Sequence, residues 1–172
     1  DGQRLRFDQV VFATHSDQAL ALLEEPSALE TEILSAIPYQ ANDVVLHTDI
    51  RMLPRKTKTW SSWNYTLGER ENRAIVTYNM NILQGIQAPE TFCVTLNNTA
   101  AINPHKIIGR FEYDHPVFSL EGCAAQQRWH QINGVASTWY CGAYWQNGFH
   151  EDGVVSALRV ASGLCSKHVA AA

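Results

Sequence analysis

The C-terminal part of the sequence constrains the fold more than any other stretch. Residues 135–141 form a β-prone run that contains Thr, Trp and Tyr and stops at Gly142. Two more glycines, Gly148 and Gly153, precede an apolar pattern at positions i, i+4, i+7 and i+11. The residues in that pattern are Val154, Leu158, Ala161 and Cys165. This spacing is one face of a helix, so the sequence predicts a strand, a glycine-rich turn and a helix.

Such a turn is suited to ligand binding. The start of a helix presents unpaired backbone N–H groups and the positive end of the helix dipole. Glycines let the backbone approach a ligand closely. We therefore expect residues 142–153 to face an electron-rich ligand atom, although many strand–turn–helix units bind nothing.

A cluster of titratable residues, His150-Glu151-Asp152, lies in this turn. Acidic residues in a first helical turn are ordinary partners of the helix dipole, so a purely structural role stays open beside ligand contact. Metal binding is disfavoured, because neighbouring positions do not point the same way and no ligands of suitable spacing stand nearby. We therefore predict no metal ligands in this sequence.

The remaining pattern predicts an α+β fold with a central antiparallel or mixed sheet and strand–helix pieces at both ends. The predicted strands are residues 5–14, 44–48, 58–67, 73–83, 92–96, 107–113 and 135–141. Helices are expected over 19–23, 28–37 and 119–132 and from about residue 151, with a capping box at Ser27–Glu30 and a charged turn at 68–72.

Polar residues on the central strands allow two interpretations. Ser61, Ser62, Asn64, Thr77, Asn79 and Asn81 could line a substrate cavity or face solvent. We expect solvent, because antiparallel sheets often have one wet face. His15 follows the first strand, where ligands gather in α/β sheets. Asp114-His115-Pro116 is explained as a strand end without any catalytic role.

Composition excludes several classes of protein. With 172 residues, 45% hydrophobic and 17% charged, the chain fits a globular domain rather than a disordered one. A net charge of −4 gives no reason to expect nucleic acid or an anionic membrane as partner. The four cysteines are far apart and form no Cys-x-x-Cys pair. Reduced thiols in a cytoplasmic protein are expected.

The run Gly148-Phe149-His150-Glu151 and the helix after it resemble the C-terminal flavin-binding segment of the flavin-dependent amine oxidase superfamily. There the segment reads roughly Gly-aromatic-x-Glu-Gly-Ala, whereas Asp152 and Gly153 stand here in place of Gly-Ala. Residues 7–14 are similar to the superfamily strand that ends in Ala-Thr or Ala-Pro. Through residues 60–65 and 148–153, the whole chain looks most like a bacterial branch of predicted FAD- or NAD-binding oxidoreductases.

The resemblance implies FAD as cofactor and hydride transfer from a substrate C–N or C–C bond to the flavin. The cofactor-binding residues it implies are Gly142, Gly148, Phe149, His150, Glu151, Asp152 and Gly153. Phe149 would lie near the flavin ring. One departure is that Ala143 follows Gly142 where the family usually has an acidic residue. Catalytic residues and the small-molecule substrate stay unidentified.

The resemblance also implies a division of the chain. Residues 1–36 and 135–172 would be returning segments of an FAD-binding domain, and residues 37–134 an antiparallel, substrate-binding domain. The sequence has no Gly-x-Gly-x-x-Gly motif and begins with a turn dipeptide, so we expect that motif to be encoded upstream. The chain alone would then be inactive, bind FAD weakly and form a homodimer. The alternative is a non-enzymatic α+β ligand-binding or interaction domain.

Overall fold

The computed structural model describes residues 2–67 and 74–170, the side chains of 167–170 excepted, and shows an α+β fold, as predicted. The strands are β1 Val10–Phe12, β2 Tyr39–His47, β3 Trp63–Thr66, β4 Ile75–Asn79, β5 Cys93–Leu96, β6 Ile107–Pro116 and β7 Thr138–Tyr140. The helices are α1 Ser16–Leu22, α2 Ala28–Ser35, α3 Met80–Gln84, α4 Leu120–Gln127 and α5 His150–Ala170. The predicted charged turn at 68–72 lies outside the described residues.

The described chain separates into two compact units. The end unit contains the described residues up to Gln40 and those from Pro116 onward, and the middle unit is Ala41–His115. Residues 116–134, which the sequence assigned to the middle, belong to the end unit, where α4 contacts α2. The roles of these units in binding FAD or substrate stay predictions.

In the end unit, the helices pack around a small parallel sheet of β1 and β7. The core is formed by Ala19, Ile33, Leu34, Ile37, Ala125, Ile132, Tyr140, Tyr144 and Trp145. Helix α2 begins with the predicted capping box, in which Ser27 Oγ accepts from the Glu30 N–H and Glu30 Oε2 accepts from the Ser27 N–H. These bonds satisfy two backbone donors that would otherwise lack partners.

Strand β1 is shorter than predicted, since only Val10–Phe12 of residues 5–14 pairs with a neighbour. Leu5 and Phe7 are exposed. Helix α5 also turns its predicted apolar face outward, with Val154 52% and Leu158 65% exposed. The buried face carries Asp152, Ser156 and Val160 instead. In the end unit, apolar side chains that follow the most regular pattern in the sequence are therefore exposed.

The middle unit is a five-stranded antiparallel sheet in the order β3-β4-β5-β2-β6. The predicted second hairpin strand, residues 73–83, ends earlier than expected. Asn79 Oδ1 accepts from the Ile82 N–H at 3.2 Å and caps α3, so the chain is helical from Met80 to Gln84. Gly85 ends this helix with a φ of 66°, a left-handed conformation that glycine adopts at little cost.

The expectation that the polar strand residues face solvent is wrong for Thr77 and Asn79, which are buried. Thr77 lies opposite Thr95 in the β4–β5 pair, and their hydroxyl oxygens are 2.9 Å apart. His47 Nε2 lies 2.7 Å from the same Thr95 oxygen. Hydrogen bonds between the side chains replace water, which is why this row can be buried.

The row ends at a buried carboxylate. The Asp49 N–H donates to His47 Nδ1 at 3.0 Å, so the His47 proton sits on Nε2 and points toward Thr95. Asp49 itself accepts from the Arg51 guanidinium at 2.6 Å and from the Asn103 N–H at 2.9 Å. Bonds from Arg51 hold the pKa of Asp49 well below its usual range, although burial opposes the shift.

None of the described helices has the length and apolar character needed to cross a membrane. All four cysteines are free, with Cys93 and Cys141 buried and Cys123 and Cys165 exposed. His115 lies inside β6, where Nδ1 accepts a hydrogen bond from Asn42 Nδ2 at 3.0 Å. Its contact is therefore structural.

Candidate functional site

The two ends of the chain meet in the β1–β7 pair. Val10 lies opposite Thr138 and Phe12 opposite Tyr140, and both strands run in the same direction. The Cys141 N–H donates to the Phe12 carbonyl at 2.9 Å, which extends the pairing to the carboxyl end. The prediction that these two strand regions lie together is confirmed. The loops after both strands consequently leave from the same edge, where ligands bind in parallel sheets.

The loop after β7 is fixed by two glycines. A Cβ on Gly142 would collide with the ring of Tyr144, which is buried and has little room to move. Gly148 has a φ of 87°, where any other residue would be strained. The Gly148 N–H donates to the Ala143 carbonyl at 3.2 Å and closes the loop on itself. This segment is therefore a defined turn whose shape depends on glycine.

Ser156 attaches this loop to α5. Its Oγ accepts a hydrogen bond from the Gly142 N–H at 3.1 Å, and its side chain is buried. The sequence pattern emphasised Val154 and Leu158 on this helix, so Ser156 was missed. The available signal was a hydroxyl residue between apolar Val155 and Ala157, because such side chains often bond to nearby backbone.

The predicted acidic pair divides into two different roles. Asp152 is buried, and its Oδ2 accepts from the Phe149 N–H at 2.9 Å, directly before the helix. An acidic residue three positions after the cap commonly makes this bond, so Asp152 stabilises the helix start. Glu151 is exposed and forms no hydrogen bond or ion pair within the described residues. Of the two carboxylates, only Glu151 is available to a ligand.

The other predicted site residues surround this helix start. Phe149 is 71% exposed, and His150 is exposed beside it. Gly153 packs at ordinary distance from Ala143, so its missing side chain is not required by space. The structure thus brings all seven predicted residues into one continuous loop and helix start. An exposed aromatic ring, a carboxylate and first-turn N–H groups could together border a flat, electron-rich ligand.

A group of buried and partly buried polar side chains lies at the neighbouring end of β1. The His15 ring stacks on Tyr39 with centroids 4.4 Å apart, and the Tyr39 hydroxyl accepts from the Ser16 N–H at 3.0 Å. Burial raises the pKa of Tyr39. The buried hydroxyls of Ser16 and Tyr144 form no hydrogen bond of normal geometry, although Tyr39 lies near the first and Trp145 near the second. The sequence pointed to His15 but to neither hydroxyl.

Tyr140, the last residue of β7, and Tyr144, in the loop after it, are both buried but differ in their partners. Tyr140 donates from its hydroxyl to Glu30 Oε1 at 2.6 Å. Burial, followed by the nearby Glu30 charge, raises the pKa of Tyr140. Burial also raises the pKa of Tyr144, and nearby Tyr39 and Cys141 add to the shift. Both tyrosines stay protonated near neutral pH, so neither is available as a general base.

The described residues contain no group of three His, Cys, Asp or Glu side chains placed to hold a metal ion. They also show no nucleophile hydrogen-bonded to a general base within residues 142–153. The chemistry this segment offers is accordingly binding and orientation of a ligand. No family model matches the sequence, and no curated protein matches it either.

Proposed function

We propose that the chain is the rear part of an FAD-dependent oxidoreductase of the amine oxidase type. The proposal is carried by one observation: β1 and β7 pair in parallel, and β7 leads through a glycine turn into the exposed start of α5. Flavin supplies hydride chemistry, whereas the protein contributes binding and orientation. The substrate is a small molecule with an oxidisable C–N or C–C bond.

Different residues of this chain would contact different parts of the cofactor. Phe149 would flank the flavin ring, and the N–H groups of the first turn would face its electron-rich edge. Glu151 would accept a hydrogen bond from the ligand. Asp152 and Ser156 would not touch it, because they hold the helix start and the loop in place. Gly142 and Gly148 would keep the backbone close to the ligand.

The pyrophosphate of FAD needs a partner that these residues do not supply. No Gly-x-Gly-x-x-Gly motif occurs in the sequence. That motif normally cradles the pyrophosphate at a helix start. The proposal therefore requires the motif elsewhere in the complete reading frame, and a frame with a stop codon or an unrelated fold upstream of Asp1 would contradict it.

The test is the flavin content of the protein expressed from its complete reading frame. We expect a yellow protein that releases FAD on denaturation. Phe149→Ala should weaken FAD binding and shift the visible flavin spectrum, because an aromatic neighbour of the ring is lost. Leu120→Ala, which changes an 88% exposed residue at the start of α4, is the matched control and should change neither. A colourless protein that takes up no added FAD would refute the proposal.

A non-enzymatic interaction domain is the second candidate. The observation that favours it is the exposure of several large apolar side chains of the end unit, among them Phe7, Val11 and Leu158. Exposed apolar patches commonly mark interaction surfaces. Absence of flavin from the complete protein, combined with stable capture of a protein partner by this surface, would favour this candidate over the oxidoreductase.

A further inference from the structure

A cavity of about 560 Å³ lies in the end unit, beside α4 and α5. We name it the Arg159 cavity. Its wall includes Gln126, Trp129, His130, Trp145, Gln146 and Arg159. Trp145, Gln146 and Asn147 belong to the loop between Gly142 and Gly148, but none of the seven residues proposed to bind flavin lines the cavity. Its volume falls in the range of small-molecule sites.

Hydrogen bonds between elements hold this wall in shape. The Gln126 side-chain amide donates to the carbonyls of Tyr144 and Gln146, both at 2.8 Å. The Trp129 indole N–H donates to the Tyr140 carbonyl at 3.0 Å. These bonds connect α4 and the turn that follows it to β7 and the loop after it. A wall fixed in this way loses little conformational freedom when a ligand binds.

The cavity carries one permanent positive charge without a compensating carboxylate. The Arg159 guanidinium lies over the Trp129 ring, 5.1 Å from its centroid, which favours one position of the cation. The wall contains no Asp or Glu. Arg159 forms no ion pair among the described residues either. Such a guanidinium is suited to a carboxylate or phosphate, which it can bind through two parallel hydrogen bonds.

Neutral polar groups form much of the remaining wall. The amides of Gln126, Gln127, Gln146 and Asn147 line it. Trp145 also lines it, and its buried indole N–H forms no hydrogen bond of normal geometry, although the Tyr144 hydroxyl lies near it. Because amides both donate and accept, those of Gln127, Gln146 and Asn147 are suited to hydroxyl groups, whereas Gln126 offers only its carbonyl oxygen. A single guanidinium matches a single negative charge better than a doubly charged phosphate.

We propose that the Arg159 cavity binds a small polyhydroxy carboxylate. The carboxylate pairs with Arg159, and the hydroxyl groups bond to the wall amides. None of the residues proposed to bind flavin lines this cavity, so the proposal can be tested on the 172-residue chain whether or not the complete protein is yellow.

The probe is gluconate, followed by calorimetry and by tryptophan fluorescence, since Trp129 and Trp145 lie in the wall. We expect saturable gluconate binding. Glucose, which has the hydroxyls without the charge, should bind at least tenfold more weakly, and so should inorganic phosphate. Arg159→Gln should weaken gluconate binding at least tenfold. Arg110→Gln, at an exposed arginine of β6, is the matched control and should leave it unchanged.

A second variant keeps the proposal testable if Arg159→Gln does not fold. Gln127→Phe narrows the cavity from the exposed side of α4 and should also weaken gluconate binding. Circular dichroism should show that both variants keep the parent fold. The proposal is overturned if gluconate does not saturate or if glucose or phosphate binds equally well. Unchanged binding in the folded Arg159→Gln variant would also overturn it.

Discussion

The end unit and the middle unit differ in how well their buried polar groups are hydrogen-bonded and in how much apolar surface they expose. In the middle unit, Thr77, Thr95, His47 and Asp49 form one buried row in which each side chain has a hydrogen-bond partner. In the end unit, the Ser16 hydroxyl lies near the Tyr39 hydroxyl and the Tyr144 hydroxyl near the Trp145 indole N–H, but neither contact is a hydrogen bond of normal geometry. Buried polar groups normally find partners. The buried polar side chains of the middle unit are therefore well paired within the unit, whereas those of the end unit are not.

The sheets show the same contrast. The middle unit has five antiparallel strands, a kind of sheet that tolerates one wet face. The end unit has two parallel strands, and Val10 and Val11 of β1 are exposed. Parallel sheets are usually covered on both faces. The following predictions test this contrast, from the largest expected free energy to the smallest.

The end unit should associate with a second copy through its uncovered apolar surface. A homodimer near residues 1–14 and 150–165 with micromolar affinity would contribute about 8 kcal/mol. Leu158→Glu should raise the dissociation constant, because it places a charge on the exposed face of α5. Leu120→Glu, at an exposed residue on α4, is the control. Light scattering that shows only monomer at high concentration would contradict this prediction.

The middle unit should be sensitive to loss of its buried carboxylate. Asp49→Ala removes the acceptor of the Arg51 and Asn103 N–H groups and should lower the free energy of unfolding by about 2–3 kcal/mol. Asp114→Ala, at an exposed position of β6, should change it by less than about 0.5 kcal/mol. Urea titration gives both values.

Pulsed alkylation during the same titration compares the units directly. Burial, followed by the Asp49 charge, raises the pKa of Cys93 to about 11, so this thiol reacts only when the middle unit opens. Cys141 is the corresponding buried thiol of the end unit. Asp49→Ala should shift the labelling of Cys93 to lower urea more than that of Cys141. Equal shifts would show that the contrast between the units does not extend to their stability.

The middle unit should also lose stability in mild acid. Burial lowers the pKa of His47, although the Asp49 charge opposes the shift. Below about pH 6.5 His47 is protonated in the unfolded chain but stays neutral in the folded protein. The free energy of unfolding therefore decreases as the pH is lowered, by up to about 1.4 kcal/mol per pH unit for this group. The loss is complete once the pH has passed the lowered pKa of the folded state.

His47→Gln should remove this part of the pH dependence, whereas His105→Gln, at an exposed histidine, should leave it unchanged. Denaturant titrations at pH 7.5 and pH 5 on the three proteins provide the comparison. An identical pH dependence in the parent and in His47→Gln would contradict the assignment to His47.

In the end unit, the loop before α5 should depend on Ser156. Ser156→Ala leaves the Gly142 N–H without its acceptor and should cost about 1 kcal/mol. Earlier alkylation of Cys141, the residue before Gly142, is the expected local signal. Ser162→Ala, at an exposed position of the same helix, is the control. If Cys141 labelling is unchanged in Ser156→Ala, the hydrogen bond does not hold the loop.

The sequence predicted what depends on local patterns. The capping box of α2 and the strand–turn–helix at the C-terminus follow from neighbouring residues, and both are present. It failed where burial depends on distant partners. Thr77 reads as a solvent residue until Thr95 and His47 are placed beside it. Asp152 reads as a ligand until its bond to the Phe149 N–H is seen. Periodicity likewise finds the apolar face of α5 but not what covers it.

The smallest expected free energy is that of FAD binding to the chain alone. The chain alone should bind FAD weakly, because the open first turn of α5 offers dipole contacts of only about 0.3–1 kcal/mol when exposed. Micromolar affinity needs about 8 kcal/mol, and this sequence lacks the motif that would supply most of it. Calorimetry should therefore show no binding tighter than millimolar, with Phe149→Ala indistinguishable from the parent chain. Submicromolar binding that Phe149→Ala weakens would show that the end unit forms a flavin site without any further segment.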